Sequence, residues 1–292
     1  MDVEARSRGE RDRHRARPVS ARSLPSWRVV ALASLVLLGC GPTEVPGQRG
    51  LDAIDAPTSA PNGAPIEVLW QAGMEGGDLS EWSAPGGRRA GGGPFNSDGG
   101  FAEATDEVAR TGRYSAKLLL PNGVGGTRLF RWEESDRQSE AFYSAWFYIP
   151  SRFEPDEWWD VFQFKSRVSE EMNDPFWVIN IGARSDGRLY LYLGDWQRGE
   201  TFRQTAADVP IGSWFQVECF LRQSSMGAGR IACWQDRTLL WDMRDVDTHY
   251  PGATNQWSVN NYSSRVGPAP VDIYVDDAAI YVLSDSSRPF MP

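Results

Sequence analysis

The sequence contains little lysine, histidine or cysteine. Of its 30 basic residues only Lys117 and Lys165 are lysine, and the other 28 are arginine, a bias that fits a GC-rich coding sequence as well as any function. Charged residues make up 24% and apolar residues 41% of the 292 residues. These ordinary values exclude a disordered, collagen-like or multi-span membrane chain.

The chain also lacks a basic body. Residues 1–39 carry eight arginines and four acids, a net charge of +4, so the remaining 22 basic and 35 acidic residues give −13. Nucleic-acid binding requires a basic footprint, and we therefore expect no nucleic-acid partner.

Several catalytic motifs are missing as well. The sequence contains no Gly-x-Ser-x-Gly, P-loop, His-Glu-x-x-His or EF-hand loop. It also lacks the string Glu-x-Asp-x-x-Glu, which argues against a retaining glycosidase, since that chemistry needs two carboxylates about 5–5.5 Å apart.

The first forty residues are typical of an export signal. Residues 29–38 (VVALASLVLL) are uncharged and follow Arg22 and Arg28, as in a signal peptide. The run ends in Leu-Leu-Gly-Cys, which resembles the lipobox of bacterial lipoproteins and makes Cys40 the expected lipidation site. Gly41 after the cysteine favours the outer membrane or cell surface. An ordinary signal peptide with a chance cysteine is the alternative.

The rest of the chain divides into three parts. Residues 40–65 are rich in Pro, Gly and Ala without apolar period, which indicates a flexible tether. In residues 66–286 apolar residues mostly alternate with polar ones and turn signals recur, so we predict a single all-β domain, a two-sheet jelly-roll sandwich of concanavalin A-like type. Residues 287–292 form a short tail.

Strand alternation predicts which side chains face away from the core. Gln163 and Lys165, with Val161, lie opposite Phe162 and Phe164.

The same alternation applies to three other strands. Arg131 and Glu133 alternate with two aromatics, Asn180 with the apolar residues around it, and Tyr190 and Tyr192 with leucines. Such a polar and aromatic face suits sugars, because flat rings stack on pyranoses and guanidinium and amide groups bind hydroxyls and carboxylates. An ordinary solvated outer face is equally consistent with it.

The order of segments resembles the concanavalin A-like jelly-roll polysaccharide lyases, especially the heparin-lyase-like and glucuronan-lyase-like group. The similar segments are MEGGDLSEWS (74–83), TGRYSAKLLL (111–120), SAWFYIP (144–150), QFK (163–165), GSWFQVECFLR…GRIACWQD (212–236) and IYVDDAAIY (273–281). Together they extend over about residues 66–286.

The resemblance implies a set of catalytic residues. Arg131 matches an Arg-x-Glu strand motif and Tyr262 the tyrosine of the last inner strand, whereas Gln163 and Lys165 match a Gln-x-His motif in which lysine replaces histidine. In such lyases an amide, Arg or His neutralises the uronate carboxylate, and Tyr or His removes the C5 proton and protonates the leaving oxygen. A lysine can neutralise a carboxylate, and it can act as a base only with a lowered pKa.

Other candidates complete the site. His249, the one histidine after residue 40, lies in a loop and either supplies a base or is a bystander. Asn180, Tyr190, Tyr192 and Glu133 are the expected substrate-binding residues.

No cofactor is expected to be required. Domains of this type often hold a structural Ca²⁺ where the sheet ends meet, which nominates Glu75 and Asp277 as ligands. Turn carboxylates that cap the chain are the alternative.

We therefore expect a monomeric lipoprotein at the outer membrane or cell surface, bound to the membrane only through its lipid. Its expected partner is an acidic, uronate-containing polysaccharide, which it either cleaves by β-elimination or binds as a divergent, lyase-derived protein. A non-catalytic carbohydrate-binding or adhesive lipoprotein is the alternative, and an envelope structural protein is a third hypothesis.

Cys219 and Cys233 lie seven residues on either side of Met226, the centre of a predicted turn. Partners in an antiparallel hairpin have a constant index sum, so these two lie opposite each other, with Cβ atoms roughly 4.5–5.5 Å apart. In an oxidising compartment we predict a disulfide between them. Two small apolar side chains that face each other are the alternative.

The lipidation site is testable in a bacterial host. Labelled palmitate is expected to enter the wild-type protein and to be absent from Cys40→Ser, because only the thiol carries the lipid. Label retained by the Cys40→Ser variant would contradict the lipoprotein assignment.

Overall fold

The computed structural model describes residues 57–284, apart from the side chains of residues 89, 90 and 133. Cys40, the export signal and the tail at 287–292 lie outside the described residues. Within residues 57–284 no helix is long and apolar enough to cross a membrane.

The described chain is built almost wholly from short strands. In chain order they are β1 (Ile66–Ala72), β2 (Gly92–Ser97), β3 (Phe101–Thr105), β4 (Ser115–Leu120), β5 (Gly125–Arg131), β6 (Glu140–Tyr148), β7 (Glu154–Pro155), β8 (Trp159–Arg167), β9 (Asn173–Ala183), β10 (Leu189–Asp195), β11 (Glu200–Arg203), β12 (Trp214–Arg222), β13 (Gly229–Gln235), β14 (Thr238–Val246), β15 (Thr254–Ser263), β16 (Val266–Gly267) and β17 (Val271–Leu283). Helix in residues 57–284 is limited to a 3-10 turn (Ser80–Trp82), α1 (Gly87–Ala90) and α2 (Glu133–Arg137).

Two antiparallel sheets form the body. The seven-stranded sheet, called the cleft sheet here, has the order β11-β10-β9-β8-β15-β5-β2. The eight-stranded back sheet has the order β14-β13-β12-β6-β17-β4-β3, and β1 also pairs with β17. A two-stranded ribbon joins β16 to β7. The predicted two-sheet jelly-roll sandwich is thereby confirmed.

One continuous apolar core fills the space between the sheets. Period-two alternation explains it, because the side chains of Phe162, Phe164 and Val259 in the cleft sheet point toward the apolar residues of β6 and β12 in the back sheet. The rings of Trp70 and Trp82 lie in this core with their centroids 4.7 Å apart in an edge-to-face arrangement. Trp70 also packs edge-on against Trp257 of β15, with centroids 6.1 Å apart, and so connects the back sheet to the cleft sheet.

Residues 57–65, the end of the predicted tether, pack on the outer face of the back sheet. Ala60 is fully buried in a small apolar cluster with Phe142, Phe220 and Tyr281. The segment is held by backbone bonds, including Ser284 N–H to the Pro65 carbonyl at 3.1 Å. The chain therefore joins the domain on the side away from the cleft sheet.

The cysteine pair is bonded as the index sum predicts. Cys219 of β12 lies opposite Cys233 of β13 in the register, and a disulfide joins them with Cα atoms 4.1 Å apart. Both residues are fully buried on the core side of the back sheet. The bond therefore closes a hairpin whose two strands already pair throughout.

Replacing both cysteines by alanine is expected to lower the free energy of unfolding by about 2–3 kcal/mol, because the reduced chain regains loop entropy in the unfolded state. Urea denaturation of the wild type and of the Cys219→Ala/Cys233→Ala variant measures this difference. As a direct check, a thiol reagent should label neither cysteine in unreduced, unfolded protein. Labelling of both would contradict the bond.

Candidate active site

The outer face of the cleft sheet carries a cleft of about 560 Å³ in the middle of the sheet. Strands β5, β8, β9, β10 and β15 each contribute side chains to it. Its polar and aromatic lining residues are Arg128, Trp158, Asp160, Gln163, Lys165, Asn180, Tyr192, Asp195, Trp196, Glu200, Thr201 and Tyr262.

A β-bulge in β8 sets the floor of this cleft. The register with β9 shifts between Asp160 and Phe162, so both Val161 and Phe162 enter the core and Asp160 turns to the cleft. Strict alternation had placed Val161 beside Gln163 and Lys165, and that expectation is wrong. The bulge is the physical reason, since one extra residue reverses the facing of everything before it.

Four polar side chains form a hydrogen-bonded row across β5, β8 and β15, called the polar row here. Arg128 Nη1 donates to Gln163 Oε1 at 3.2 Å, and Gln163 Nε2 donates to Asp160 Oδ2 at 3.0 Å. Asn260 Nδ2 donates to Asp160 Oδ1 at 2.9 Å. All four residues are buried, with Asp160 only 2% exposed. Burial raises the pKa of Asp160 to about 7, against the lowering effects of Asn260 and the Arg128 charge.

Lys165 and Arg128 are the two cations of the cleft. The ammonium of Lys165 makes no hydrogen bond or ion pair with any residue of the part that the structure describes. Burial, followed by the positive charge of Arg128, lowers the pKa of Lys165 to about 8. Lys117, by contrast, lies on the back sheet with its Nζ 2.7 Å from Glu107.

Tyr262 is held flat against the cleft sheet. It pairs directly with Gly126 of β5, and a Cβ at that position would come within 2.0 Å of the Tyr262 ring. The absence of a side chain at Gly126 is therefore what lets the ring lie there. The Arg128 guanidinium lies 4.8 Å from the centroid of the ring, and the Trp158 ring packs edge-on at 5.0 Å.

The cleft continues as a groove toward β2. This second depression shares Arg128, Lys165 and Tyr262 with the cleft. Its walls, called the aromatic arm here, are Phe95, Phe130, Trp132, Arg88 and Arg167. On the other side of the shared centre lies the β11 arm, formed by Tyr192, Asp195, Trp196, Glu200 and Thr201. The site is thus an open channel with a central charged section.

Arg131 does not lie in the cleft, and the expectation that it binds substrate there is wrong. Its side chain is fully buried on the core side of β5, and its guanidinium pairs with Glu134 at 2.7 Å and donates to the Trp82 carbonyl at 2.7 Å. Phe130 and Trp132 take the outer face in its place. A charged side chain can be buried when it has a full set of partners, as Arg131 has. The expectation that the charged residue would face outward therefore assigned the two faces of β5 the wrong way round.

The expected substrate-binding residues divide into three groups. Asn180 and Tyr192 line the cleft, and burial raises the pKa of Tyr192 to about 12. Tyr190 shares their face of the sheet but is buried outside the cleft lining, with the Arg184 guanidinium 4.5 Å from its ring centroid. Glu133 belongs to α2, and its side chain lies outside the described part of the structure.

His249 is not brought to this centre. It lies in a separate depression with Tyr250 and Asp247, and its Nδ1 is 2.7 Å from the Tyr250 carbonyl oxygen. The Tyr250 hydroxyl in turn donates to Asp174 at 2.9 Å. His249 therefore does not line the cleft that contains Tyr262, and a catalytic role for it stays a prediction.

The two expected calcium ligands each bind protein donors. Glu75 accepts the backbone N–H groups of Arg113 and Tyr114 at 2.9–3.0 Å. Asp277 accepts the Thr111 hydroxyl at 2.8 Å and pairs with Arg110 at 2.7 Å. Within residues 57–284 no group of three or more His, Cys, Asp or Glu side chains could hold a metal. The contacts are those of the capping alternative, and calcium binding stays a prediction.

Sequence reasoning missed three residues of the centre. Arg128 has the same parity as Phe130 and Trp132, which alternation had assigned to the core, and Asp160 is displaced by the bulge. Trp158 directly precedes β8, outside the alternating stretch. The pair Gly125-Gly126 was a usable signal for β5, since two glycines in a strand mark a place where another side chain approaches closely.

A family model described as polysaccharide lyase matches residues 74–277 of the chain. Among solved structures, an endo-β-1,4-glucuronan lyase from the fungus Trichoderma reesei is similar at a TM-score of 0.54 and 17% identity, covering 73% of this chain and 95% of that one. A carbohydrate esterase of the Shiga toxin-encoding bacteriophage phi24B gives a TM-score of 0.50 at 14% identity, covering 75% and 100%. No curated protein matches the sequence significantly.

The two lysines allow a clean test of the environment of Lys165. At pH near 8 an amine-acylating reagent is expected to label Lys165 at least about tenfold faster than Lys117, because the reagent attacks only the neutral amine and Lys117 is held in an ion pair. Peptide mass spectrometry over a time course measures both rates. Equal rates, or faster labelling of Lys117, would contradict the lowered pKa of Lys165.

Proposed function

The chain belongs to the polysaccharide lyase family, and we propose that it cleaves a uronate-containing polysaccharide by β-elimination in the cleft of the cleft sheet. The observation that carries the proposal is the lysine in the cleft, Lys165, with a lowered pKa and no partner, beside a buried arginine and a tyrosine. Elimination needs a neutral base, a fixed positive group and a proton donor, and these three side chains supply one each.

Arg128 and Gln163 are the groups that receive the carboxylate. A proton on the carbon next to a carboxylate becomes acidic only when the developing negative charge is stabilised. Arg128 makes no ion pair within the described residues, so its charge is available to an anion, and Gln163 beside it has a second amide N–H to donate. The role expected of Arg131 passes to Arg128.

Lys165 is the base that removes the proton from C5 of the uronate. An arginine cannot do this, because its guanidinium stays protonated, whereas lysine loses its proton readily when it is buried. The electron pair of the broken C–H bond forms the C4–C5 double bond as the bond from C4 to the glycosidic oxygen breaks. Tyr262 donates its hydroxyl proton to that oxygen, so atoms and charge balance.

The channel favours cleavage inside a chain. The aromatic arm and the β11 arm leave the charged centre in opposite directions, and both are open to solvent. Phe95 and Trp196 are 40% and 57% exposed, so each arm offers a ring on which a pyranose can stack. A polysaccharide could therefore pass through with sugars on both sides of the bond that breaks.

The proposed location of the protein follows from the export signal in its first forty residues. We propose that the protein is exported and held at the outer membrane or cell surface by a lipid on Cys40. The attachment of residues 57–65 to the outer face of the back sheet supports this, because an anchor on that side leaves the cleft open to solvent.

The elimination is tested by following the ultraviolet absorbance of the unsaturated uronate over a panel of uronate polymers. Lys165→Arg keeps the charge but removes the base, and Tyr262→Phe removes the acid; each is expected to lower kcat by about 10²–10⁴-fold while binding changes little. The wild-type kcat/KM, which reports the free enzyme, is expected to rise with pH and to level off above about 8, since the base works only when unprotonated.

Lys117→Arg is the matched control, because that lysine pairs with Glu107 on the back sheet, and its activity should equal that of the wild type. Turnover that survives Lys165→Arg would move the base elsewhere. Binding of uronate polymers without any unsaturated product would instead identify a non-catalytic carbohydrate-binding protein.

A further inference from the structure

The polar row connects Arg128 and Gln163, the proposed carboxylate-binding groups, to Asp160. The negative charge of Asp160 cannot itself attract a carboxylate. Both oxygens of Asp160 accept hydrogen bonds from amide nitrogens, one from Asn260 at 2.9 Å and one from Gln163 at 3.0 Å. The amide of Gln163 lies between two charged groups, with its nitrogen toward Asp160 and its oxygen 3.2 Å from Arg128. Each contact pairs a donor with an acceptor.

This pairing fixes which end of the Gln163 amide meets a ligand. With one N–H on Asp160 and the oxygen on Arg128, the remaining N–H is the group left for the cleft. If the amide turned over, its oxygen would face Asp160 and its nitrogen would face the Arg128 guanidinium. Acceptor would then meet acceptor and donor would meet donor, at the place where a carboxylate has to bind.

Asn260 strengthens the same constraint. Its side chain is fully buried, and its Oδ1 has no partner in the described part of the structure, so its bond to Asp160 is the contact that orients it. Asp160 is thus the shared acceptor for two buried amides on neighbouring strands. A neutral side chain at position 160 could not accept from both with full strength.

We propose that Asp160 is a positioning residue that holds the Gln163 amide in the orientation that binds a uronate carboxylate. This rests on the proposed function of the cleft. Asp160 acts through Gln163, and its own negative charge is kept from the ligand by the two amides that cover its oxygens.

Protonation of Asp160 is expected to undo this arrangement. A neutral carboxyl group would place its O–H against an amide N–H, and the Gln163 amide would turn. Burial brings the pKa of Asp160 to about 7, so the carboxylate is lost as the pH falls through that value. The ionisable groups that face it are Arg128 from β5, Tyr262 from β15, Lys165 from β8 and Tyr192 from β10.

A double-mutant cycle on uronate turnover tests the inference. Asp160→Asn is expected to lower kcat/KM about 100-fold, the scale of a misplaced positioning group. In the background of Gln163→Ala the same change should cost less than about twofold, because a residue that acts only through a partner loses its effect with it. Additive losses would overturn the proposal, and thermal unfolding of each variant checks that the fold is kept.

The pH profile supplies a measurement that needs no change at position 160. Below pH 7 the logarithm of wild-type kcat/KM should fall by about two units per pH unit, since Asp160 and Lys165 both gain protons there. In Gln163→Ala the slope should be about one. A slope of two that persists in that variant would overturn the role of Gln163.

Calorimetric binding of a uronate oligosaccharide distinguishes a failure of the proposed elimination from a failure of the positioning role of Asp160. If the wild type binds without turnover, the elimination fails and the cycle is run on binding constants, with the same expected non-additivity. If the wild type neither binds nor cleaves uronates, the proposed function and the inference fall together.

Discussion

The polar row in the cleft depends on an irregularity in β8. In β8, Val161 and Phe162 both enter the core, and the residues on either side, Asp160 and Gln163, come to lie on the same outer face although they are three apart. Without the bulge a regular strand would bury Asp160 among apolar side chains, where an ionised carboxylate has no partner. The polar row forms because the bulge in β8 brings Asp160 to the same outer face as Gln163.

The cleft also depends on the two arginines of β5, Arg128 and Arg131, which lie on opposite faces of the sheet. Arg131 is on the core side, and its charge is cancelled by Glu134 and stacked 5.0 Å from the centroid of the Trp70 ring. Arg128, on the other face, donates to an uncharged amide instead, Oε1 of Gln163. Burying an arginine is tolerable with a complete set of partners, so Arg131 is structural, whereas Arg128 leaves a positive charge that an anion can meet.

Sequence patterns were sufficient for the fold and for part of the site. Alternation and turns gave the sandwich, the cysteine register, and the positions of Gln163, Lys165 and Asn180 on one face. They failed at β5 and at the start of β8, because alternation states which residues share a face and not which face is inside. That choice depends on partners such as Glu134 and on bulges, which arise from contacts between strands distant in the sequence.

The cation that attracts the substrate also prepares the base. Burial and the charge of Arg128 lower the pKa of Lys165, which keeps a useful share of the amine neutral near neutral pH. A uronate carboxylate that binds Arg128 would bring a negative charge beside it and offset that effect. The pKa of Lys165 would then rise toward its usual value, so the amine that is still neutral would be a stronger base while a larger share of the amine would be protonated. An arginine at this position could attract the same carboxylate, but it would have no such change to undergo.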